Sequence, residues 1–586
     1  MSKKLMSGNE AIALGAFESG VELAAAYPGT PSTEIMENIA GFDGIETIWS
    51  NNEKIALETA WGASLAGVRV LTSMKHVGVN VAMDALVNIA ITGLNGGLVL
   101  ISADDPGQHS SQNEQDNRII ARFAGIPLIE PSDSQEAKDS VNLGLEISER
   151  FDTPVMVRLT TRISHSMSIV EPGERKEVPR KEYVKDIQKY VMLPVFSRQR
   201  RKKIFERMPE LQEFSEGHPS LSIEQGRGEL AYVGVITSGI SYHYVKDVLP
   251  DASIMKILLT NPLPLARIEE FAGTVERLFV VEELEPFMEE QILAMGIKAE
   301  GKGYFSRIGE LSPPLVKKGF IEAGMLPEGV ISSHPPEQVT VRPPVMCPGC
   351  PHRGMMAALR ECKGAMITGD IGCYNLGANP PFGVYDTTVC MGASIGTAIG
   401  YERMTKNQNV IAVIGDSTFL HTGLPGLVDA VYQGSNMTLV LLNNRVTAMT
   451  GGQPNPASGR DIMGHTPPEI DFEALFRALG IGHIETVDSY DIKSCQAALD
   501  RAEKSEGLSV IMTNRPCVMY PHKIKGTPLS VDPDLCNACG RCYNMGCPAV
   551  MGSEVMGKKF PKALINRDTC TGCGLCAQIC PTEAIM

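Results

Sequence analysis

The chain has 586 residues, enough for about four domains with sizeable cores at roughly 150 residues each. Hydrophobic residues make up 43% and charged residues 21%, which excludes extensive disorder, and the 57 Gly and 38 Pro follow no collagen-like period. A formal net charge of −15 argues against a nucleic-acid-binding body.

The longest uncharged stretch, residues 85–103, contains Asn88, Asn95 and Gly96-Gly97. It reads as a helix end, a turn and a buried strand rather than a membrane span. Asn9-Glu10 interrupt any apolar signal core after Lys3-Lys4. The expected setting is cytoplasmic, with neither membrane nor nucleic acid as partner.

Residues 1–170 alternate helical patterns with short apolar runs at Val68-Arg69-Val70-Leu71-Thr72, Gly97-Leu98-Val99-Leu100-Ile101 and Pro154-Val155-Met156-Val157-Arg158. Such runs are typical of strands buried in a parallel α/β sheet. Within this block stand Tyr27-Pro28-Gly29-Thr30-Pro31-Ser32, a helix entry with Ser32 in the N-cap place, and Asn52-Glu53-Lys54, with Glu58 one helical turn on. A Lys/Arg-rich stretch within residues 171–224, including Arg198, Arg200, Arg201, Lys202 and Lys203, is expected to be a solvated linker rather than an RNA-binding patch. A second α/β block follows at 225–335, with strands expected at 230–236, 254–259 and 278–281.

A third α/β block covers 340–525 and opens with Cys347-Pro348-Gly349-Cys350-Pro351-His352. Gly415-Asp416-Ser417 follows the apolar run 410–414, and Asn443-Asn444 follows the run 438–442. If these are adjacent parallel strands, Asp416 and Asn443 converge at their C-terminal ends, where open α/β sheets bind ligands. Hard oxygens there suit Mg²⁺ and, through it, a diphosphate, with N–H donors expected from a helix after Gly423. The alternative is an ordinary strand-end Asp and a turn Asn-Asn.

Eight of the 15 Cys lie in residues 528–586. Cys536, Cys539, Cys542 and Cys547 form C-x2-C-x2-C-x4-C-P; Cys570, Cys573, Cys576 and Cys580 form C-x2-C-x2-C-x3-C-P. Structural zinc usually takes two separated pairs. Two triplets, each followed by Cys-Pro, suit two [4Fe–4S] cubanes with the fourth ligands exchanged: Cys536, Cys539, Cys542 with Cys580, and Cys570, Cys573, Cys576 with Cys547. The first motif carries one residue more than the bacterial ferredoxin pattern, within Tyr543-Asn544-Met545-Gly546.

These segments together resemble the 2-oxoacid:ferredoxin oxidoreductases, and over essentially the whole chain the large subunits of the indolepyruvate branch. Gly415-Asp416-Ser417 with Asn443-Asn444 is similar to the thiamine-diphosphate motif, Ser417 replacing its last Gly. Residues 104–116 look like the large-subunit version of the substrate loop. The resemblance implies an α/β fold of several doubly wound parallel-sheet domains: a pyrimidine-binding domain (1–170), a basic linker (171–224), a transketolase-C-terminal-like domain (225–335), a pyrophosphate-binding domain (340–525) and a 2×[4Fe–4S] ferredoxin-like domain (528–586). It implies Mg²⁺ held by Asp416, Asn443 and the backbone carbonyl of Arg445, with Gly415 and Ser417 lining the cofactor and Met391 as the apolar wedge that bends it.

By the same resemblance, Glu53 is the acid against the aminopyrimidine ring, with Glu58 as the alternative. Thr30 would meet the substrate carboxylate. Cys347, Cys350, Cys373 and Cys517 would hold a third [4Fe–4S] cluster; the alternative is buried free thiols beside an inert turn. Cys362, Cys390 and Cys495 receive no role. The implied activity is oxidative decarboxylation of an aryl 2-oxoacid to the acyl-coenzyme A with reduction of ferredoxin. Other 2-oxoacid substrates of pyruvate or 2-oxoglutarate type, non-oxidative decarboxylation, and a bare electron-transfer role are the alternatives. The family's small catalytic-γ domain is absent, implying a separate β subunit and an (αβ)2 assembly.

Overall fold

The computed structural model describes residues 2–327, 343–405 and 409–586; the boundary expected between 335 and 340 lies outside them. The chain divides into two compact units, Met1–Val339 and Thr340–Met586.

In the first unit a seven-stranded sheet contains β1 (Val21–Ala26), β2 (Glu46–Trp49), β3 (Arg69–Lys75), β4 (Leu98–Asp104), β5 (Leu128–Ile129), β6 (Val155–Thr160) and β7 (Leu259–Asn261). Its order is β7-β5-β6-β4-β3-β1-β2, parallel except for β7 against β5. Every residue of β3, β4 and β6 is buried, so these strands read as apolar runs rather than as alternating ones. The chain runs from β1 out to the edge at β2 and returns to β3 on the other side of β1. The gap between β1 and β3 is therefore a topological switch point, where ligands enter such sheets. Helix α1 (Glu53–Leu65), whose Asn52 side chain accepts from Ile55 N, packs Leu57 and Ala60 onto Val70, Leu98 and Leu100.

The block beginning at 225 has its own four-stranded sheet, with strands Arg277–Val281, Val233–Thr237, Ser253–Lys256 and Ser222–Glu224 in that order. It does not stand apart. Between Ser253–Lys256 and Arg277–Val281 the same block contributes β7, which completes the edge of the first sheet. Arg118, buried, binds Asp116 at 2.6 Å, Glu282 at 2.7 Å and the Glu283 carbonyl at 2.7 Å. The expected solvated linker also folds: helix α2 (Pro194–Gly217) turns Ile204, Arg207, Leu211 and Ser215 inward. Arg200 binds Asp152 at 2.7 Å and Arg207 donates to the Ala90 carbonyl at 2.9 Å. A single narrow inward stripe under a basic surface explains why the charge run masks this helix.

The second unit holds a five-stranded parallel sheet of β8 (Met366–Thr368), β9 (Val410–Gly415), β10 (Thr438–Leu442), β11 (His483–Val487) and β12 (Ser509–Thr513), in the order β8-β9-β10-β12-β11. Beyond it, the antiparallel strands β13 (Val550–Met556) and β14 (Pro561–Ile565) carry the cysteine-rich module. Met545 and Leu575 of that module lie in the same apolar core as Met355, Met356 and Cys350. Among the described residues no helix is long and apolar enough to cross a membrane.

Candidate active site and cysteine clusters

Two loops and one helix start meet at the switch point of the first unit. The loop after β1 carries Thr30; Ser32 N and Oγ both return to the Gly29 carbonyl at 2.8 Å. The Ser32 hydroxyl thus braces the loop and makes no cap bond to the helix Thr33–Ile39, a use that its N-cap position does not disclose. Glu53 opens α1 and is 5% exposed, and a Cβ on Gly78 would stand 2.5 Å from its Oε1. Glu58, with a side chain 40% exposed, is ion-paired to Lys54. Of the two acids, Glu53 is therefore the one screened from water. In the loop after β4, Asp105 accepts from Ser110 N, Ser111 Oγ and Thr161 Oγ1 at 2.8, 2.5 and 2.7 Å. Ser110 Oγ donates to the Thr30 carbonyl at 3.3 Å.

In the second unit Gly415 pairs with Leu442, so Asp416 and Asn443 leave the ends of neighbouring parallel strands. Burial pushes the Asp416 carboxyl up to about 6, against the pull of a 3.2 Å hydrogen bond from Asn455 Nδ2. A carboxylate this deep, with only neutral donors, suits an incoming divalent cation. Asn443 Oδ1 accepts from Arg445 N at 3.1 Å; Arg445 has φ +61°, and its carbonyl accepts from Ser458 Oγ at 2.7 Å. A Cβ on Gly415 would stand 2.7 Å from the Tyr374 ring, so only glycine fits there. Ser417 Oγ meets Thr447 Oγ1 at 2.8 Å. The donor set fits a cation and the diphosphate it would carry.

The nearest helix starts at Asp416 itself, passes through a π turn at Phe419–Gly423 and continues as Leu424–Tyr432. The N–H donors expected from a helix after Gly423 thus belong to the turn at Asp416; Gly423 and Pro425 hide this continuity in the sequence. The Met391 carbonyl accepts from Thr422 Oγ1 at 2.7 Å, and Asp370 accepts from Gly392 N at 2.8 Å and Ser394 N at 3.0 Å. Asp370 and Asn455 are site supports that motif reading missed. Nothing local marks them, because each acts across the fold.

Twelve of the fifteen cysteines fall into three groups, and Cys362, Cys390 and Cys495 stand outside them. Burial pushes the Cys350 thiol up to about 12, with Cys373 and Cys347 adding to the shift. Burial does the same to Cys373, with Cys517 and Cys347 adding. Cys517 is raised too, and Asp416 is among the charges it feels; its N–H donates to the Asn444 carbonyl at 3.0 Å. Buried His352, driven down to about 4, meets the Asn444 side chain at 3.3 Å. The four distant cysteines are therefore gathered beside the candidate diphosphate loop.

In the terminal module, burial raises Cys542 to about 11, with Cys539, Cys536 and Cys580 around it. Cys576 rises to about 12, with Cys573, Cys547 and Cys570. Cys536, Cys539, Cys542 and Cys580 also line one small cavity with Pro561 and Ile585. Among the described residues no three His, Cys, Asp or Glu converge tightly enough for a single metal ion. The spacing of the two triplets, each with a Cys-Pro beyond it, suits cubanes rather than one zinc. The extra residue before Cys547 has a structural use: Arg541–Met545 makes a 3₁₀ turn whose Met545 carbonyl accepts from Arg353 Nη1 at 2.5 Å.

The family "Pyruvate flavodoxin/ferredoxin oxidoreductase, thiamine diP-bdg" matches residues 14–216, "Thiamine pyrophosphate enzyme, C-terminal TPP binding domain" residues 370–513, and "4Fe-4S binding domain" residues 563–586. The indolepyruvate oxidoreductase subunit IorA of Methanothermobacter marburgensis is 39% identical over 99% of this chain and 96% of its own. That of Pyrococcus abyssi is 41% identical over the same shares. A solved 2-oxoglutarate:ferredoxin oxidoreductase from Magnetococcus marinus has a TM-score of 0.47 at 18% identity, over 55% of this chain and 65% of its own. The chain belongs to the IorA-subunit family of thiamine-diphosphate-dependent 2-oxoacid:ferredoxin oxidoreductases.

Proposed function

We propose that this chain is the large subunit of an oxidoreductase that converts aryl 2-oxoacids, indolepyruvate among them, to aryl-acetyl-coenzyme A while reducing ferredoxin. The observation that carries the reading is the convergence, within one unit, of the buried Asp416–Asn443 pair and the four-cysteine group at Cys517. The names of the relatives favour the aryl substrate.

Asp416, Asn443 and the Arg445 carbonyl would hold Mg²⁺ and through it the diphosphate, with Gly415, Ser417 and Met391 lining the cofactor. When bound, thiamine diphosphate supplies the decarboxylation chemistry and the electron pair that the clusters carry off singly. Glu53 would keep a proton on the aminopyrimidine ring, and its burial keeps that exchange away from water. Thr30 would orient the substrate carboxylate. Cys347, Cys350, Cys373 and Cys517 would hold a cubane beside the cofactor, and the eight terminal cysteines two more. One 2-oxoacid, one coenzyme A and two oxidised ferredoxins give one acyl-coenzyme A, one CO2, two reduced ferredoxins and a proton. A β subunit supplying the catalytic-γ domain would complete an (αβ)2 enzyme.

The test is anaerobic reduction of a low-potential dye by the complex with its partner subunit. Reduction should require both phenylpyruvate or indolepyruvate and coenzyme A. Faster reduction with pyruvate or 2-oxoglutarate would overturn the aryl assignment, and CO2 release without dye reduction would make the enzyme a non-oxidative decarboxylase.

A further inference from the structure

Lys75 ends β3 at the switch point, 9% exposed, with its Nζ donating to the Ser110 carbonyl at 2.5 Å. A Cβ on Gly29 would stand 3.0 Å from the Lys75 Cβ, so the side chain leaves directly beneath the Gly29-Thr30 loop. Ser110, its hydrogen-bond partner, also reaches the Thr30 carbonyl. No carboxylate among the described residues forms an ion pair with Lys75. Asp105 is the acid whose charge it feels, and that carboxylate is already held by Ser110, Ser111 and Thr161.

Burying an ammonium against a carbonyl alone is unfavourable unless an anion joins it. The same short segment supplies more. His76 is fully buried, with Nε2 at 3.2 Å from the Asn113 carbonyl and Nδ1 without a partner. Gly78 lies against the Glu53 carboxyl. Residues 75–78 therefore touch both loops at the switch point and the buried acid.

We propose that Lys75 is a cation that binds the carboxylate of the 2-oxoacid, closing the floor of a site whose other wall is the Thr30 loop. This rests on the 2-oxoacid reading above and adds a residue to it. The placement has a chemical logic. A 2-oxoacid carries one negative charge, and among buried groups a point charge attracts it more strongly than a hydroxyl does.

Burial brings the Lys75 ammonium down to about 8, with Asp105 opposing the shift. The titratable groups facing it are Asp105 from the loop after β4 and, on its own segment, His76, whose imidazolium burial disfavours. Lys75 is thus cationic below about pH 8 and loses its charge as pH rises through that value, so KM for the 2-oxoacid should climb on the alkaline side.

The experiment uses the complete enzyme with phenylpyruvate as probe, following dye reduction between pH 6.5 and 9.5 for the parent, Lys75→Met and Lys75→Arg. Thiamine diphosphate and iron content are assayed for each. Lys75→Met should raise KM for phenylpyruvate about tenfold or more, leave KM for coenzyme A and both cofactor contents unchanged, and flatten the alkaline rise. Lys75→Arg keeps a charge that does not titrate in this range, so it should hold KM within a few-fold of the parent with no alkaline rise.

An unchanged KM in Lys75→Met overturns the proposal, as does a loss of thiamine diphosphate in that variant, which would make Lys75 a cofactor support. If Lys75→Met does not fold, Lys75→Arg decides: a KM that still rises near pH 8 overturns the assignment. A parent enzyme that reduces dye with no 2-oxoacid sinks the functional reading, and Lys75's role with it. Parent activity on phenylpyruvate with variants indistinguishable from it sinks Lys75 alone.

Discussion

Asp416 and Glu53 are both buried acids at the ends of parallel strands or the starts of helices, yet they should fail differently when changed. Asp416→Ala removes the buried carboxyl proposed to hold the cation. Thiamine diphosphate retained after purification should fall below about a tenth of the parent's, while iron content stays the same. Glu53→Gln keeps shape and hydrogen-bonding atoms but loses the acid. The cofactor should remain bound while turnover drops about a hundred- to ten-thousand-fold. Turnover at the parent rate would give the role to another group; Glu58, ion-paired at the surface, is poorly placed for it. Both residues could be singled out as candidates because each sits in a local motif. Asn455, Asp370 and Lys75 could not. They reach their partners across 39, 22 and 35 residues of chain, and no local pattern announces such contacts.

At the scale of elements, the Cys347–Cys350 turn is where the cysteine-rich module meets the sheet. Gly349 has φ +69°, and a Cβ there would stand 2.0 Å from Thr571 Oγ1, which lies between two terminal cysteines. Tyr490 OH donates to the Gly349 carbonyl at 2.5 Å, and Gln578 Nε2 donates to the Tyr490 carbonyl at 2.6 Å. Tyr490 feels the charge of both Cys350 and Cys573, so it lies between two of the groups expected to hold clusters. If the Cys347 group holds a cubane, anaerobically purified protein should carry about twelve iron atoms per chain, and Cys350→Ala about eight. Iron near eight in the parent would leave those four thiols as packing residues. The cysteine spacing exposed the terminal module because three-residue steps are local. Cys373 and Cys517 could be grouped with the turn only by resemblance, since the fold brings them together from 26 and 170 residues away.

Across the first unit, stability should depend on pH through a buried charge network that the sequence does not display. Asp104 and Glu130 bind Arg158 at 2.5 and 2.6 Å, and Arg118 gathers Asp116 and Glu282. Glu283 stands at its margin, pushed up to about 7 by burial. Its folded carboxyl prefers the proton relative to the unfolded one at 4.5, so its contribution is complete below about pH 4.5 and lost as pH rises through about 7. Glu283→Gln should therefore raise the unfolding temperature at pH 8 relative to the parent, with the gain vanishing near pH 5. An equal shift at both pH values would show that Glu283 does not titrate there. Half of the sixteen strands in the three larger sheets could be read from apolar runs, and the run at 438–442 coincides with β10. What could not be read is that β7 leaves its own block to close the first sheet, because a three-residue edge strand has no periodicity to find.

Met545 and Leu575 sit in the same apolar core as Met355 and Met356, and this bears on how electrons leave the molecule. A carrier on a flexible tether can swing toward its acceptor and back; this one is mortared into the wall. If its two cysteine sets hold the proposed cubanes, internal transfer would proceed across a packed interface rather than through a search. The burden of motion passes to the external acceptor, which must come to a stationary port. Cys539 is the one exposed thiol of the terminal eight, and if the set it belongs to holds a cubane, that is the side on which an external acceptor would meet it.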